Sequence, residues 1–230
     1  MVDWTAWNNR YDDPDDWLVS RLRIVQQQLT DVLDRRPPGP LRLISVCAGQ
    51  GRDVIEVLSG HPRCGEVSAL LVELDRATVD TGRDLAAAAG LTGVRFVVGD
   101  AARTDLYQST APADIVLVCG VFGNITVEDI EATIGLLPQL CAPGAAVIWT
   151  RGRHDSTTDL VPAIREWFTR AGFTQRDLHS SPAGFTVGRH DYSGPAQPLT
   201  DGESMFTFHG YDQLSATTGG APATVDTTPR

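Results

Sequence analysis

The chain of 230 residues contains no lysine, because all 19 of its basic residues are arginine. That absence excludes sites built on a lysine, such as Schiff-base, pyridoxal phosphate and P-loop sites. Acidic residues number 29, which gives a net charge of −10. Domains that bind nucleic acids usually carry a basic surface, so the sequence predicts no nucleic-acid partner.

Cysteine is scarce, and the sequence has no paired cysteines. Cys47, Cys64, Cys119 and Cys141 stand far apart without a CxxC pair, which predicts reduced thiols, no disulfide and no metal site. No apolar run approaches the roughly 20 residues of a membrane helix, and the first residues have neither a basic nor an apolar signal-peptide region. We therefore expect a cytoplasmic protein with no membrane partner. The Ala- and Arg-rich, Lys-free composition indicates a GC-rich bacterial genome.

The chain divides into three parts by composition. Apolar residues recur at three- and four-residue steps from Asp15 to Arg36 and predict an amphipathic helix, which a Pro-rich turn ends. Residues 1–40 are therefore predicted to form an N-terminal helical segment. Residues 41–212 form the main domain, and residues 213–230 are Thr-, Gly- and Pro-rich and predicted to be disordered.

Strand and helix patterns alternate at least five times along the main domain. Short apolar strands are predicted at 41–46, 67–74, 94–98, 113–119 and 145–150. This alternation is typical of a parallel sheet with helices on both faces. Ligands of such sheets bind beyond the carboxyl ends of the strands, so the residues that follow each strand are the informative ones.

Three strand ends carry residues suited to a nucleoside-containing ligand. Residues 47–51 form a turn of small residues that lets a ligand approach the backbone. Glu73 follows the second strand and can accept hydrogen bonds from ribose hydroxyls. Asp100 follows the third strand and can accept from the exocyclic amine of adenine. Each feature alone also fits a plain turn or a helix cap, but the three together favour a ligand site.

These segments resemble class I S-adenosylmethionine-dependent methyltransferases. Residues 44–51 stand at the family's glycine-rich motif, 72–75 at its acidic motif, 98–101 at its adenine-side motif, 113–118 at its fourth strand and 136–144 at its turn before the fifth strand. Two positions depart from the pattern, because Ser45 replaces a frequent acidic residue and Cys47 a glycine. The side chain of Cys47 is expected to alter the course of the loop.

The resemblance implies an α/β, Rossmann-like three-layer sandwich. Its sheet is expected to be mostly parallel, with seven strands and an antiparallel last strand, and the N-terminal segment is expected to act as a helical lid. The implied cofactor is S-adenosylmethionine, with the ribose at Glu73 and adenine at Asp100. The implied cofactor contacts are Cys47, Ala48, Gly49, Gln50, Gly51, Asp53, Glu73, Leu74, Asp100, Ala101, Cys119, Gly120 and Phe122.

No strong catalytic residue stands out, because methyl transfer mainly requires alignment of the reacting atoms. Tyr11, with Trp4 and Trp7, is either part of the lid or simply packs the N-terminus. Asn124 either orients an acceptor or caps the next helix. His154 is either a base or an ordinary loop histidine.

Three other functions remain open alongside a methyltransferase with a small-molecule acceptor. The chain could be a non-catalytic sensor or scaffold that binds the cofactor, or a module that binds partners through its acidic surface. An NAD-type oxidoreductase fits less well, since Val54 stands where the GxGxxG pattern needs its third glycine. The sequence leaves the oligomeric state open.

Overall fold

The computed structural model describes residues 10–152 and 159–210, and all structural statements below refer to these residues. The helices and strands alternate as the sequence predicts. The helices are α1 (Trp17–Arg35), α2 (Arg52–Gly60), α3 (Arg76–Ala88), α4 (Val127–Leu140) and α5 (Val161–Arg170). The strands are β1 (Leu41–Val46), β2 (Val67–Glu73), β3 (Val94–Val98), β4 (Ala113–Val118), β5 (Cys141–Gly152), β6 (Phe173–Ser181) and β7 (Phe185–Tyr192).

The strands form one sheet of seven, in the order β3-β2-β1-β4-β5-β7-β6. Strands β1 to β5 pair in parallel, whereas β7 runs antiparallel to both β5 and β6. The mostly parallel sheet with an antiparallel last strand is therefore confirmed. The order reverses between β1 and β4, which is where open α/β sheets form a crevice for ligands.

Helices cover both faces of the sheet, so the fold is the predicted three-layer sandwich. Successive strand residues point to opposite faces. Ile44 and Val46 belong to the core beneath α4 and α5, while Leu43 belongs to the core beneath α1, α2 and α3. Each face thus has its own apolar core.

Side-chain caps fix the start of three helices. Asp16 accepts from the amide of Leu18 at 2.9 Å, and Asp75 accepts from that of Thr78 at 2.7 Å. Thr126 accepts from the amide of Asp129 at 3.1 Å. Each bond satisfies a backbone donor that the first helical turn leaves unpaired.

The structure differs from the predicted element boundaries at one strand in particular. Strand β5 begins at Cys141, four residues before the predicted start at 145, because Cys141 pairs with Ala113 of β4 across a register shift. Gly144, expected in a turn, lies inside this irregular part with a φ of 79°. This irregularity in the pairing with β4 lets β5 pass through a turn-like conformation at Gly144 without ending.

Helix α1 belongs to the core as well as to the predicted N-terminal segment. Val25, Leu29 and Leu33 pack in the core beneath α1, α2 and α3. Among the described residues, no helix is both long enough and apolar enough to cross a membrane.

Candidate functional site

A cavity of about 290 Å³ lies at the carboxyl ends of the parallel strands. Its walls come from the segments that follow β1 to β4, from the end of β5, from the start of α1 and from the C-terminal part of the chain. The predicted residues that line it are Tyr11, Cys47, Ala48, Gly49, Gln50, Asp53, Glu73, Leu74, Asp100, Ala101, Cys119, Gly120 and Asn124. The fold thus brings together residues that stand far apart in the sequence.

The loop after β1 turns sharply at Cys47, which has a φ of 52°. This left-handed conformation favours glycine, so Cys47 adopts the turn geometry despite its side chain. The thiol points into a region where burial raises its pKa well above the usual value, and the carboxylates of Glu73 and Asp100 raise it further. Cys47 is consequently a protonated wall residue.

Gly51 supports the turn from outside the cavity. Its φ is 71°, and an added Cβ would lie 2.5 Å from Leu71 Cδ2 and 2.8 Å from Phe96 Cζ. Its amide donates to the carbonyl of Ala48 at 2.9 Å. Gly51 therefore packs against the sheet core and is not among the residues that line the cavity. Its predicted contact with the cofactor stays a prediction.

The Glu73 carboxylate connects the ends of β1 and β2. Its Oε2 accepts from the amide of Gly49 at 2.9 Å, while Oε1 accepts from the amides of Leu74 and Asp75 at 2.8 and 3.0 Å. A carboxylate has about four acceptor positions, so one position remains for a ligand. Leu74 beside it is 68% exposed and offers an apolar surface to the cavity.

Asp100 follows β3 and lines the cavity together with the β1 loop. Its Oδ1 accepts from the amide of Ala102 at 3.0 Å, which fixes the side chain in its turn. Asp100 is otherwise exposed and lines the cavity together with Ala101. Its second oxygen is available to accept a hydrogen bond from a ligand.

The segment after β4 is held by hydrogen bonds to its neighbours. The Gly120 amide donates to Thr150 Oγ1 at 2.8 Å, and the Asn124 side chain donates to the Gly120 carbonyl at 2.7 Å. Asn124 therefore stabilises this turn, and Thr126 caps α4 in its place. Burial raises the pKa of the Cys119 thiol far above its usual range.

Phe122, which the sequence predicts as a cofactor contact, is not among the residues that line the cavity. Its ring is fully buried, with its centroid 5.9 Å from that of Trp149 and 6.5 Å from that of Phe168. The chain turns after Gly120, so this aromatic ring points into the core beneath α4 and α5. Phe122 therefore supports the site from below.

The N-terminal residues close one end of the cavity. Tyr11 accepts a hydrogen bond from Arg21 at 2.8 Å, and the Arg52 guanidinium lies 5.8 Å from its ring centroid. Arg52 also pairs with Asp12 at 3.0 Å. These contacts attach residues 10–12 to both α1 and α2.

Several wall residues were not predicted from the sequence. Arg21 and Trp17 of α1 line the cavity, as do Phe206 and Phe208. The signal for Arg21 was a charged residue between Leu18 and Val25 on the otherwise apolar stripe of α1.

The C-terminal segment, defined here as residues 203–210, crosses the cavity between two loops. The amide of Met205 donates to the Ala102 carbonyl, and that of His209 donates to the Asn124 carbonyl, both at 2.9 Å. The amide of Thr207 donates to Asp129 at 3.1 Å. These bonds hold Phe206 and Phe208 against the cavity, although the two residues have no recognisable motif.

Comparison with protein-family models gives one match, to a family described as "Putative methyltransferase", over residues 17–161. This match spans more than half of the chain and includes every strand end that lines the cavity. The chain belongs to this methyltransferase family. Comparison with curated proteins gives no match.

Solved structures share the fold of this methyltransferase family member at low sequence identity. An O-methyltransferase family protein from Burkholderia thailandensis has a TM-score of 0.63 at 18% identity, and the match covers 81% of this chain and 59% of that one. The 1,6-didemethyltoxoflavin-N1-methyltransferase from the same organism, solved with 1,6-didemethyltoxoflavin and S-adenosylhomocysteine, has a TM-score of 0.61 at 18% identity, covering 83% and 87%.

A third similar structure is that of the [4+2]-cyclase SpnF, with a TM-score of 0.54 at 15% identity, covering 72% of this chain and 80% of that one. At these identities the likeness concerns the fold alone. The chain also spans only 59% of the length of the O-methyltransferase family protein.

Some predicted features of this methyltransferase lie outside the described residues. These are Trp4 and Trp7 of the lid, the candidate base His154 and the tail beyond residue 210. Within the described ranges, no group of three or more His, Cys, Asp or Glu side chains is arranged to hold a metal ion.

Proposed function

We propose that this protein is an S-adenosylmethionine-dependent methyltransferase that acts on a small-molecule acceptor. The observation that carries the proposal is that the small residues of the β1 loop, Glu73 and Asp100 line one cavity, with Glu73 joined to the loop through the Gly49 amide. The family supports the methyltransferase class. The related fold that holds S-adenosylhomocysteine and 1,6-didemethyltoxoflavin supports this cofactor and this size of acceptor.

Each side chain in the cavity has a defined role in this proposal. Glu73 accepts from a ribose hydroxyl with its remaining acceptor position, and Asp100 accepts from the adenine amine. The exposed side chain of Leu74 packs on the adenine face. Cys47, Ala48, Gly49, Gln50, Ala101, Cys119 and Gly120 form the walls.

The chain's part in the reaction is to position the acceptor beside the methyl group and to exclude water from the cavity. When bound, the cofactor supplies a methyl group on a positively charged sulfur, which is already activated for displacement. The protein then has to hold the acceptor atom in line with that carbon, at about 3 Å. We assign the exclusion of water to Tyr11 and Trp17 on the N-terminal side and to Phe206 and Phe208 on the C-terminal side.

Tyr11 and Asn124, the two candidates for a catalytic role within the described residues, are both engaged in hydrogen bonds. The Tyr11 hydroxyl accepts a hydrogen bond from Arg21, and the Asn124 amide donates to Gly120. We therefore assign both residues to shaping the cavity. In this proposal residues 10–22 act as the lid, since they combine contacts to α2 with exposure to the cavity.

The test is a turnover assay of the full chain with S-adenosylmethionine and pooled small-molecule acceptors, followed by mass spectrometry. We expect S-adenosylhomocysteine and a methylated product in equal amounts, since each transfer produces one of each. Asp100→Ala is expected to lower the rate at limiting cofactor by weakening adenine binding. Tight cofactor binding with no turnover of any acceptor would favour the non-catalytic sensor instead.

A further inference from the structure

The elements that line the cavity differ in the charge they bring to it. Its charged lining residues belong to α1, α2, β2 and the segment after β3, and they are Arg21, Arg52, Asp53, Glu73 and Asp100. The lining residues from β4, β5 and the C-terminal segment (203–210) are uncharged, and they are Cys119, Gly120, Gly123, Asn124, Thr150, Gly152, Phe206 and Phe208. We call this second set the uncharged wall.

The cysteine of the uncharged wall carries a thiol and not a thiolate. Burial raises the pKa of Cys119 well above its ordinary value. The charge of Asp53 raises this pKa further and that of Arg21 lowers it, so the two opposite charges offset each other in part. The uncharged wall therefore holds no anion or cation of its own.

The proposed function leaves the uncharged wall for the methyl acceptor. Glu73 ends β2 and Asp100 follows β3, and in the sheet order β3-β2-β1-β4-β5 both strands lie on one side of β1. Strands β4 and β5 lie on the other side of β1. A cofactor held by Glu73 and Asp100 thus leaves the part of the cavity at β4 and β5 for the second substrate, so the inference below rests on the proposed function.

Two aromatic rings belong to the uncharged wall. Phe206 is 4% exposed and Phe208 is 36% exposed, and the backbone around them is held by the bonds of Met205 to Ala102 and of His209 to Asn124. Aromatic rings gain energy beyond area burial when they contact a second ring edge to face or offset. Both rings lie outside residues 17–161, which match the family, so they are a feature of this chain and not of the family match.

Three glycines keep the uncharged wall open. Gly120, Gly123 and Gly152 line the cavity without side chains. An added Cβ on Gly120 would meet no atom within 4 Å. The space in front of Gly120 is therefore available to a ligand.

Thr150 brings an unused hydrogen-bond donor to the same wall. It is 1% exposed, and its Oγ1 accepts from the Gly120 amide at 2.8 Å. A hydroxyl also has one proton to donate, and no described residue accepts a hydrogen bond from this one. A buried donor without a partner costs free energy. Because Thr150 lines the cavity, we expect its acceptor to arrive with a ligand.

A chain of hydrogen bonds connects Thr150 to the segment that carries the two rings. Thr150 accepts from the Gly120 amide, and the Asn124 side chain donates to the Gly120 carbonyl at 2.7 Å. The amide of His209, next to Phe208, donates to the Asn124 carbonyl at 2.9 Å. The hydroxyl and the rings are therefore parts of one connected wall.

We propose that Thr150, Phe206 and Phe208 bind the methyl acceptor, and that this acceptor is an uncharged aromatic molecule. The two phenyl rings contact its ring, and the Thr150 hydroxyl donates to an oxygen or nitrogen atom that it carries. A charged acceptor would lose its hydration at this wall without gaining an ion partner from it. An aliphatic acceptor would forgo the contacts between rings.

Probes of nearly the same shape separate the parts of this inference. Acetophenone is an uncharged aromatic ketone, cyclohexyl methyl ketone is its saturated counterpart, and benzoate carries a charged oxygen in place of its methyl group. Each probe is titrated into the full chain saturated with S-adenosylhomocysteine, and binding is followed by NMR. Acetophenone should bind at least about threefold more tightly than either of the other two.

The hydroxyl is tested by Thr150→Val, which removes it at nearly constant shape, with Thr150→Ser to restore it. Thr150→Val should bind acetophenone about threefold or more weakly, and Thr150→Ser should recover most of the affinity. α-Methylstyrene has a CH₂ group in place of the ketone oxygen, so its affinity should be the same in Thr150→Val and the wild type. Thr174→Val, at an exposed position on β6, is the matched control.

The rings are tested by Phe208→Leu, which keeps an apolar side chain but removes the aromatic one. This variant should bind acetophenone about threefold more weakly. Its affinity for cyclohexyl methyl ketone should match that of the wild type. A general defect in folding would weaken the binding of both ketones alike, and would contradict the role given to the ring.

Each outcome bears on a named claim. If acetophenone fails to bind the cofactor complex, or if benzoate or cyclohexyl methyl ketone binds as tightly, the acceptor class is wrong although the cofactor site stands. If Thr150→Val lowers the affinity for α-methylstyrene as much as that for acetophenone, Thr150 only shapes the cavity and the inference is again wrong. If the wild type does not bind S-adenosylhomocysteine, the proposed function fails and the acceptor site fails with it.

Discussion

Asp53 shows how burial alters the acid–base behaviour of one residue in the cavity. Burial raises the pKa of its carboxyl from 3.8 to about 6. Hydrogen bonds from the backbone amides and the charge of Arg21 oppose the rise, while Glu56 adds to it. The Cys119 thiol, directly after β4, is itself influenced by the charges of Asp53 and Arg21.

This shift predicts how stability depends on pH. Between about pH 4 and 6 the folded state binds more protons than the unfolded state, so the free energy of unfolding falls as the pH rises. Above pH 6 the carboxyl is ionised in both the folded and the unfolded state. Its burial then lowers the free energy of unfolding by about 3 kcal/mol, which corresponds to a pKa shift of this size. Asp53→Asn removes the charge and should therefore be more stable than the wild type at pH 7.5.

Urea unfolding of the ligand-free protein at pH 4.5 and 7.5 tests this expectation. The difference in free energy of unfolding between Asp53→Asn and the wild type should shrink towards zero at the lower pH. Asp84→Asn, which changes an exposed carboxyl on α3, is the control for the loss of a charge. An advantage of equal size at both pH values would contradict the assignment.

Residues that follow a strand could be predicted from the sequence, whereas residues from distant segments could not. Glu73 and Asp100 line the cavity because parallel strands end at one edge of the sheet. The direction of a side chain is a different matter, since Phe122 follows β4 but points into the core. Phe206 reaches the cavity because hydrogen bonds hold the C-terminal segment in place. No local sequence pattern predicts these bonds.

At the scale of elements, α3 packs close to the β1 loop through a glycine. An added Cβ on Gly82 would lie 2.6 Å from the Phe96 ring and 2.9 Å from the Gln50 carbonyl oxygen. This close approach positions the loop that forms one wall of the cavity. In contrast, an added Cβ on Gly135 of α4 would meet nothing within 4 Å.

These two glycines lead to opposite predictions for the same substitution. Alanine favours helix over glycine by up to about 1 kcal/mol, so Gly135→Ala should stabilise the protein by a fraction of that amount. Gly82→Ala should destabilise it by about 1–3 kcal/mol, because the methyl group overpacks the contact with Phe96 and Gln50. Chemical unfolding compares the two, and equal effects would show that α3 does not constrain the loop.

The order and type of the elements could be predicted because each carries its own signal. The strands β1 and β3 have the predicted boundaries. The start of β5 could not be predicted, since Pro143 and Gly144 indicate a turn and only pairing with β4 extends the strand. The part of α1 in the core depends likewise on tertiary packing.

At the scale of the whole molecule, both described ends of the chain meet at the carboxyl edge of the sheet. Tyr11 and Arg21 stand at one side of the cavity, and the C-terminal segment (203–210) crosses the other. The parallel strands between them supply the polar groups. The central claim is that this combined site binds the cofactor through Glu73.

The most direct test is the affinity of the full chain for S-adenosylhomocysteine, measured by isothermal titration for the wild type, Glu73→Ala and Glu166→Ala. Glu166 is an exposed residue on α5, away from the cavity, and serves as the matched control. Glu73→Ala removes a charged acceptor and the anchor of the Gly49 amide, so it should lose more than the ~1 kcal/mol of an ordinary hydrogen bond, about fivefold or more in affinity. The account predicts one-to-one binding in the wild type, this loss in Glu73→Ala and no change in Glu166→Ala. Wild-type affinity in a folded Glu73→Ala variant would contradict it.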